Sequence, residues 1–139
     1  MSKVKILMAD DEPAILEIMA KKVGMAGYEV VTAVDGQDAW EKIISEAPDV
    51  ILLDLTMPRK DGLEVLKDLR QNPPSSKWQP VIIVSALREF KDIQTGFSLE
   101  ADHYLTKPCS MEDVLKAIQL MIKLIPQRKT PEKEEGLKK

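Results

Sequence analysis

The chain has 139 residues, of which 44% are hydrophobic and 31% are charged, and its formal net charge is −3. This length predicts one domain with a real hydrophobic core and excludes two domains of ordinary size. The mild negative charge, without a cluster of basic and aromatic residues, gives no reason to expect direct nucleic-acid binding. No apolar stretch approaches the roughly 18 residues of a membrane helix, so membrane insertion is not expected. The single cysteine excludes an intramolecular disulfide and favours a reducing compartment, so the expected location is cytoplasmic.

Short apolar runs alternate with helix-like stretches from the start of the chain, which predicts an α/β fold with a parallel sheet. The first strand is predicted over Lys5–Ala9, and Pro13 suits the first position of the helix that follows. That helix carries apolar residues at helical spacing, namely Ile15, Ile18, Met19 and Val23. The second strand is predicted over residues 28–34. Asp35 then serves as the N-cap of a helix that runs to about Glu46 and directs four apolar residues inward, namely Ala39, Trp40, Ile43 and Ile44.

The second half of the chain repeats the alternation. The third strand is predicted over 49–53, a loop over 56–62, and then a short helix that contains Leu63, Leu66 and Leu69. The fourth strand (81–84) follows a loop rich in proline and serine, and a less regular helix is predicted between about 89 and 99. After a fifth strand (101–105), Ser110 caps a last helix with the apolar face Val114, Ile118, Met121, Ile122 and Ile125.

The composition changes after Pro126. Residues 127–139 are mostly charged and contain one large aliphatic residue, Leu137, so they cannot contribute to a packed core. We therefore expect one domain over residues 1–126, followed by a charged flexible tail or the start of a linker over 127–139.

Four of the predicted strands run directly into a chemically reactive residue: Asp10-Asp11, Asp54, Ser85 and Lys107. Because the carboxyl ends of parallel strands meet at one edge of the sheet, these side chains are expected to converge. Two carboxylates about 4 Å apart repel by roughly 4 kcal/mol at an effective dielectric near 20. A hard divalent cation such as Mg²⁺ offsets that repulsion, whereas zinc is disfavoured because there is no cluster of histidine and cysteine.

Asp54 is the expected reactive group because it stands alone at the end of the middle strand, whereas Asp10 and Asp11 form a tandem pair suited to a metal. A carboxylate can attack a phosphoryl group and form an aspartyl-phosphate. A metal ion and Lys107 would neutralise the transferring oxygens, and the hydroxyl of Ser85 could donate to the phosphate once it is present.

The segments that carry these residues are ADDEP (9–13), DLTMPRKDG (54–62), VSA (84–86) and YLTKP (104–108). In sequence and spacing they resemble the signature blocks of response-regulator receiver domains, over roughly residues 3–125. This resemblance implies a doubly wound (βα)5 flavodoxin-like sandwich. Its five-stranded parallel sheet would have the order 2-1-3-4-5, with three helices on one face and two on the other.

The resemblance also implies a role for each matching residue. Asp54 would be the phosphoacceptor. Mg²⁺, for which Mn²⁺ can substitute, would be held by Asp10, Asp11, Asp54 and the backbone carbonyl of Thr56. The phosphate would be bound and sensed by Ser85, Lys107 and Tyr104, and the peptide bond before Pro108 would be cis.

The implied function is phosphorylation-controlled signalling in a two-component system or phosphorelay. A sensor histidine kinase or phosphotransfer protein would be the phosphoryl donor. A downstream target or output domain would bind the face formed by the fourth helix, fifth strand and fifth helix, and a phosphorylation-dependent dimer is a further option. Such a domain is not an enzyme beyond catalysing its own phosphorylation and dephosphorylation. Two alternatives remain open: a Mg²⁺-dependent phosphohydrolase with an aspartyl nucleophile, and a docking or dimerisation module that is never phosphorylated.

Overall fold

The computed structural model describes residues 3–86, 94–95 and 98–125. The secondary-structure elements in this part of the chain are β1 (Lys5–Ala9), α1 (Pro13–Met25), β2 (Glu29–Ala33), α2 (Gly36–Glu46), β3 (Val50–Leu53), α3 (Gly62–Gln71), β4 (Val81–Ser85), β5 (His103–Thr106) and α4 (Met111–Leu124). The helix predicted at 89–99 lies mostly outside the described residues, and the tail at 127–139 lies wholly outside them.

The strands form one parallel sheet with the order β2-β1-β3-β4-β5, which confirms the predicted topology. In the register of the sheet, Ile6 lies between Val30 and Val50. The sheet therefore extends in both directions from the β1–β3 pair, and the carboxyl ends of all five strands lie at the same edge. In doubly wound sheets this edge, at the point where the winding reverses, is where ligands bind.

Alternate strand residues enter two separate cores, because successive side chains of a strand point to opposite faces of the sheet. Leu7, Ile51 and Ile83 pack in the core that includes residues of α2 and α3. Ile6, Leu52 and Ile82 pack in the core that includes residues of α1 and α4. Both faces are thus covered by helices, which explains why β1, β3 and β4 are apolar at almost every position.

Side-chain caps fix where three of the helices begin. The carboxylate of Asp35 accepts a hydrogen bond from the backbone N–H of Asp38 (2.8 Å), and the hydroxyl of Ser110 accepts one from Asp113 (3.0 Å). Both N-caps confirm the sequence prediction. At the start of α3, Asp61 and Glu64 form a reciprocal capping box that the sequence analysis missed.

The apolar faces of two helices differ from the predicted pattern. In α1 the buried residues are Leu16 and Val23, whereas Ile15 and Ile18 are 39% and 58% exposed. In α2 the prediction that Ile44 points inward is wrong, because this side chain is 53% exposed and Ile43 occupies the core position. In each of these two helices, fewer apolar residues are buried against the sheet than the apolar pattern of the sequence predicts. None of the helices within the described ranges is long and apolar enough to cross a membrane.

Candidate functional site

At the edge of the sheet where the carboxyl ends of the strands meet, which we call the carboxyl edge, an ammonium group lies between two carboxylates. Lys107, which follows β5, places its Nζ atom 2.7 Å from Oδ2 of Asp10 and 2.9 Å from Oδ2 of Asp54. Ser85 ends β4 and is almost completely buried, and its carbonyl oxygen accepts a hydrogen bond from the backbone N–H of Lys107 (2.8 Å). Four residues predicted to converge thus lie at the ends of four adjacent strands.

Asp10 and Asp54 use their two carboxylate oxygens in the same way. Oδ1 of Asp10 accepts a hydrogen bond from the backbone N–H of Glu12 (2.9 Å), and Oδ1 of Asp54 accepts one from Thr56 (3.0 Å). Each Oδ2 accepts from Lys107. Both aspartates are only 6% exposed, and buried polar groups need such hydrogen-bond partners. The two side chains are therefore held in fixed orientations at the edge.

The charge of Lys107 is stabilised by its two neighbours. Burial opposes the positive charge, but the hydrogen bonds and charges of Asp10 and Asp54 outweigh it and raise the pKa of Lys107 to about 12. The side chain is therefore a permanent cation at neutral pH. A permanent cation at this position can neutralise negative charge brought to Asp54 by a ligand.

The acidic residues after β1 have the chemistry of a site for a hard cation. Carboxylate oxygens of Asp10, Asp11 and Glu12 lie within 4.8 Å of one another. These donors are all oxygens, which fits Mg²⁺. The family resemblance implied a metal site of Asp10, Asp11, Asp54 and the backbone carbonyl of Thr56. In the structure Glu12 adds a further carboxylate beside Asp10 and Asp11, and Lys107 contacts both Asp10 and Asp54.

The loop between β3 and α3 closes tightly around Asp54. The backbone N–H of Gly62 donates to the carbonyl of Leu55 (3.1 Å). A Cβ atom on Gly62 would lie 2.2 Å from the carbonyl oxygen of Asp54, so the position requires glycine. Thr56 lies in this loop, and its backbone carbonyl was expected from the family resemblance to bind the metal. The loop is thus held against the end of β3 by its own backbone.

Tyr104 lies on β5 three positions before Lys107, and Pro108 follows Lys107 directly. Tyr104 pairs with Ile83 in the sheet and packs, partly buried, against the core that includes α2 and α3. The Lys107–Pro108 peptide bond is cis. Beyond it, an open cavity of about 500 Å³ is lined by Lys107 and Pro108 together with the exposed α1 residues Ile15 and Ile18.

Comparison with known proteins decides the family. The family model for the response regulator receiver domain matches residues 6–119. The chain belongs to this family. The receiver domain is similar in structure to a CheY-like receiver domain protein from Methanospirillum hungatei JF-1, with a TM-score of 0.84 at 26% identity over 91% of this chain and 98% of that one. Chemotaxis protein CheY4 of Vibrio cholerae gives a TM-score of 0.80 at 32% identity over 86% of this chain and 99% of that one.

Several curated relatives of this receiver domain are named as transcriptional regulators. The alkaline phosphatase synthesis transcriptional regulatory protein PhoP of Bacillus subtilis (strain 168) is 38% identical over 119 residues, which are 86% of this chain and 48% of the relative. The DNA-binding dual master transcriptional regulator RpaA of a Synechocystis species is 37% identical over 119 residues, 86% of this chain and 49% of the relative. The chain thus spans about half the length of these relatives.

Membership of the family settles the class of function. Receiver domains act as phosphoacceptors in two-component signalling rather than as classical enzymes. This finding disfavours the phosphohydrolase alternative. Receiver domains also generally bind Mg²⁺ through an acidic pocket, and the donor set of Asp10, Asp11 and Glu12 is compatible with that ion.

Proposed function

We propose that Asp54 of this chain accepts a phosphoryl group from a phosphohistidine of a sensor histidine kinase or phosphotransfer protein. Mg²⁺ would be held by Asp10, Asp11, Asp54 and the backbone carbonyl of Thr56. The observation that supports this most directly is the position of Lys107, whose ammonium contacts both Asp10 and Asp54. A cation at this position is suited to the charge that a phosphoryl group would bring to Asp54.

Asp54 retains the capacity to act as a nucleophile. Its carboxylate offers about four lone-pair positions, and the N–H of Thr56 and the ammonium of Lys107 occupy two of them. A carboxylate oxygen attacks phosphorus, the bond between phosphorus and the donor's imidazole nitrogen breaks, and that nitrogen keeps the electron pair. The product is an acyl phosphate on Asp54. When bound, Mg²⁺ would supply charge neutralisation at the phosphoryl oxygens.

Phosphorylation would then change the contacts at the ends of β4 and β5. Lys107 would exchange its contacts with Asp10 and Asp54 for the phosphate oxygens, and the hydroxyl of Ser85 would donate to the same group. Such contacts favour one of two pre-existing conformations, because the phosphate interacts differently with each of them. We place Tyr104, which lies on β5 three positions before Lys107, among the residues that respond.

The proposed downstream partner would respond to phosphorylation of Asp54. A downstream target or output domain would bind the face formed by β5, α4 and the helix predicted at 89–99. Because the chain spans about half of its transcriptional-regulator relatives, residues 127–139 fit the start of a linker to such a domain. We place this signalling in the cytoplasm, since a single cysteine fits a reducing compartment.

The test is phosphorylation by acetyl phosphate, followed by the mass of the intact protein. We expect the wild type to gain one phosphoryl group in Mg²⁺ and none in EDTA, and Asp54→Asn to gain none in either. Asp49→Asn is the matched control, because Asp49 precedes the same strand at its opposite end. Its carboxylate accepts a hydrogen bond there from the backbone N–H of Lys5 and pairs with the ammonium of Lys77. It should be phosphorylated like the wild type. Uptake by Asp54→Asn at the wild-type rate would contradict the proposal.

A further inference from the structure

A buried carboxylate at the N-cap of α2 contacts the loop that follows Asp54. Asp35 is only 4% exposed, and its Oδ1 atom caps α2 through the N–H of Asp38. Its Oδ2 atom accepts a hydrogen bond from Nε of Arg59 at 3.1 Å and contacts Nη2 of the same side chain. The guanidinium, with the N–H of Asp38, holds the pKa of Asp35 below its ordinary value. One side chain therefore links the start of α2 to the loop between β3 and α3.

The backbones of α2 and the loop also touch directly. A Cβ atom on Gly36 would lie only 1.6 Å from the carbonyl oxygen of Lys60, so no other residue allows this approach. The ammonium of Lys60 lies 5.4 Å from the centre of the Trp40 ring. We call these five residues the loop clamp: the N-cap Asp35 with Gly36 and Trp40 of α2, and Arg59 and Lys60 on the loop.

The loop clamp acts on a short and closed segment. Arg59 adopts a positive φ of 67°, a conformation that non-glycine residues keep only where their surroundings hold them. At the two ends of the segment, the N–H of Thr56 donates to Asp54 (3.0 Å) and the N–H of Gly62 donates to Leu55 (3.1 Å). Any displacement of Arg59 is therefore passed to Thr56 through only two intervening residues.

We propose that Asp35, acting through Arg59, is a positioning residue for the metal site. It holds the loop so that the backbone of Thr56 stays aligned with the carboxylate of Asp54. The inference rests on the proposed function, in which Asp54 and the carbonyl of Thr56 bind Mg²⁺. Neither Asp35 nor Arg59 touches the reacting atoms in this account.

The direction in which one substitution changes Mg²⁺ affinity distinguishes a positioning role from a purely electrostatic one. Arg59 is a cation three positions after Thr56, so removing its charge, if the charge acted alone, would strengthen Mg²⁺ binding. Removing the negative charge of Asp35 alone would weaken it. If the pair acts by positioning the loop, both substitutions weaken binding. Arg59→Ala is therefore the decisive variant, and because its side chain is 70% exposed, the variant should fold.

The experiment measures the dissociation constant of Mg²⁺ by isothermal titration calorimetry. For Arg59→Ala and for Asp35→Asn we expect binding about tenfold weaker, the loss typical of residues that orient a metal ligand. Asparagine still caps α2, but its amide presents N–H groups to a guanidinium that needs an acceptor. The double variant should lose no more than either single one, since the two residues act as a unit. Arg59→Lys, which keeps the charge and can make one hydrogen bond, should recover part of the loss.

A control and a second readout complete the test. Lys116→Ala removes an exposed cation that pairs with Glu112 on α4, and it should leave Mg²⁺ binding unchanged. In Arg59→Ala, the backbone amides of Thr56 and Gly62 should exchange with deuterium faster than in the wild type. Wild-type or tighter Mg²⁺ binding by Arg59→Ala, or unchanged exchange, would overturn the positioning role. If the wild type itself bound no Mg²⁺, the proposed metal site would fail, and the inference with it.

Discussion

Replacing Lys107 with methionine tests the electrostatics of the carboxyl edge. Methionine keeps an unbranched stem but has no charge and no donor, so the contacts of 2.7 Å to Asp10 and 2.9 Å to Asp54 are both lost. Two buried carboxylates then remain at the edge without the cation that lies between them. We expect the variant to be less stable than the wild type in the absence of divalent cations.

The structure sets bounds on the stability that Lys107→Met should lose. The pKa of Lys107 rises from 10.5 to about 12, which corresponds to about 2 kcal/mol. Because part of the side chain remains exposed, solvent screening lowers this contribution to about 1 kcal/mol. Two carboxylates left without their cation add to this loss of stability. The total can then reach about 3 kcal/mol, which is the lower end of the cost of breaking a buried ion pair. We therefore expect the free energy of unfolding at pH 7 to fall by about 1–3 kcal/mol.

The stability that Lys107 contributes should change with pH in a definite direction. A pKa that is raised in the folded state adds stability that is fully present below the unfolded value and is lost as pH rises through the folded value. For Lys107 that window runs from 10.5 to about 12. The contribution of this lysine to the difference between wild type and variant should therefore stay constant from neutral pH to about pH 10.

The assay is urea unfolding followed by circular dichroism, in EDTA and in Mg²⁺. With an m-value of about 2 kcal/mol per molar urea, the expected loss moves the midpoint by about 0.5–1.5 M. Mg²⁺ should stabilise the variant more than the wild type, because the carboxylates no longer share their charge with an ammonium. Lys116→Met, which removes an exposed cation, should cost no more than about 0.5 kcal/mol. Equal stability of Lys107→Met and wild type in EDTA would show that Lys107 does not stabilise the two carboxylates.

Three further predictions concern other residues. Gly36→Ala should lower the free energy of unfolding by about 3 kcal/mol, because the added Cβ would meet the carbonyl of Lys60. Gly24→Ala, with open space around the added Cβ, should raise the free energy of unfolding by about 0.5–1 kcal/mol. Urea unfolding checks both. Burial raises the pKa of the Cys109 thiol above its ordinary value of 9.0, so its alkylation by iodoacetamide should reach half its maximal rate only above pH 9, and a midpoint below pH 9 would contradict this. Asp102→Ala should cost about 3 kcal/mol in thermal unfolding, because its carboxylate pairs with a guanidinium and accepts the first N–H of β4; a loss below about 0.5 kcal/mol would show that neither contact matters.

Local rules in the sequence predicted the elements that position the site. β1 has the predicted bounds Lys5–Ala9, and the caps at Asp35 and Ser110 follow from residue type and spacing. The order of the strands came from the family resemblance, because periodicity alone does not order strands within a sheet. The convergence of Asp10, Asp54 and Lys107 then follows from the parallel arrangement.

The features that sequence reasoning missed are contacts between distant residues. Asp35 and Arg59 are 24 positions apart, and no local rule pairs an N-cap with a loop cation that far along the chain. The requirement for glycine at position 36 depends on where the carbonyl of Lys60 lies, which only the folded chain defines. The exposure of Ile15 and Ile18 depends on how α1 is rotated against the sheet, and helical spacing does not fix that rotation.

The most direct test of the central claim is the identity of the phosphorylated residue. After treatment with acetyl phosphate and Mg²⁺, borohydride reduction converts an aspartyl-phosphate into homoserine and marks the residue permanently for peptide mass spectrometry. We expect homoserine at position 54, and none when Mg²⁺ is removed. Homoserine at position 10 or 11 instead, or a phosphorylated protein with Asp54 unmodified, would contradict it.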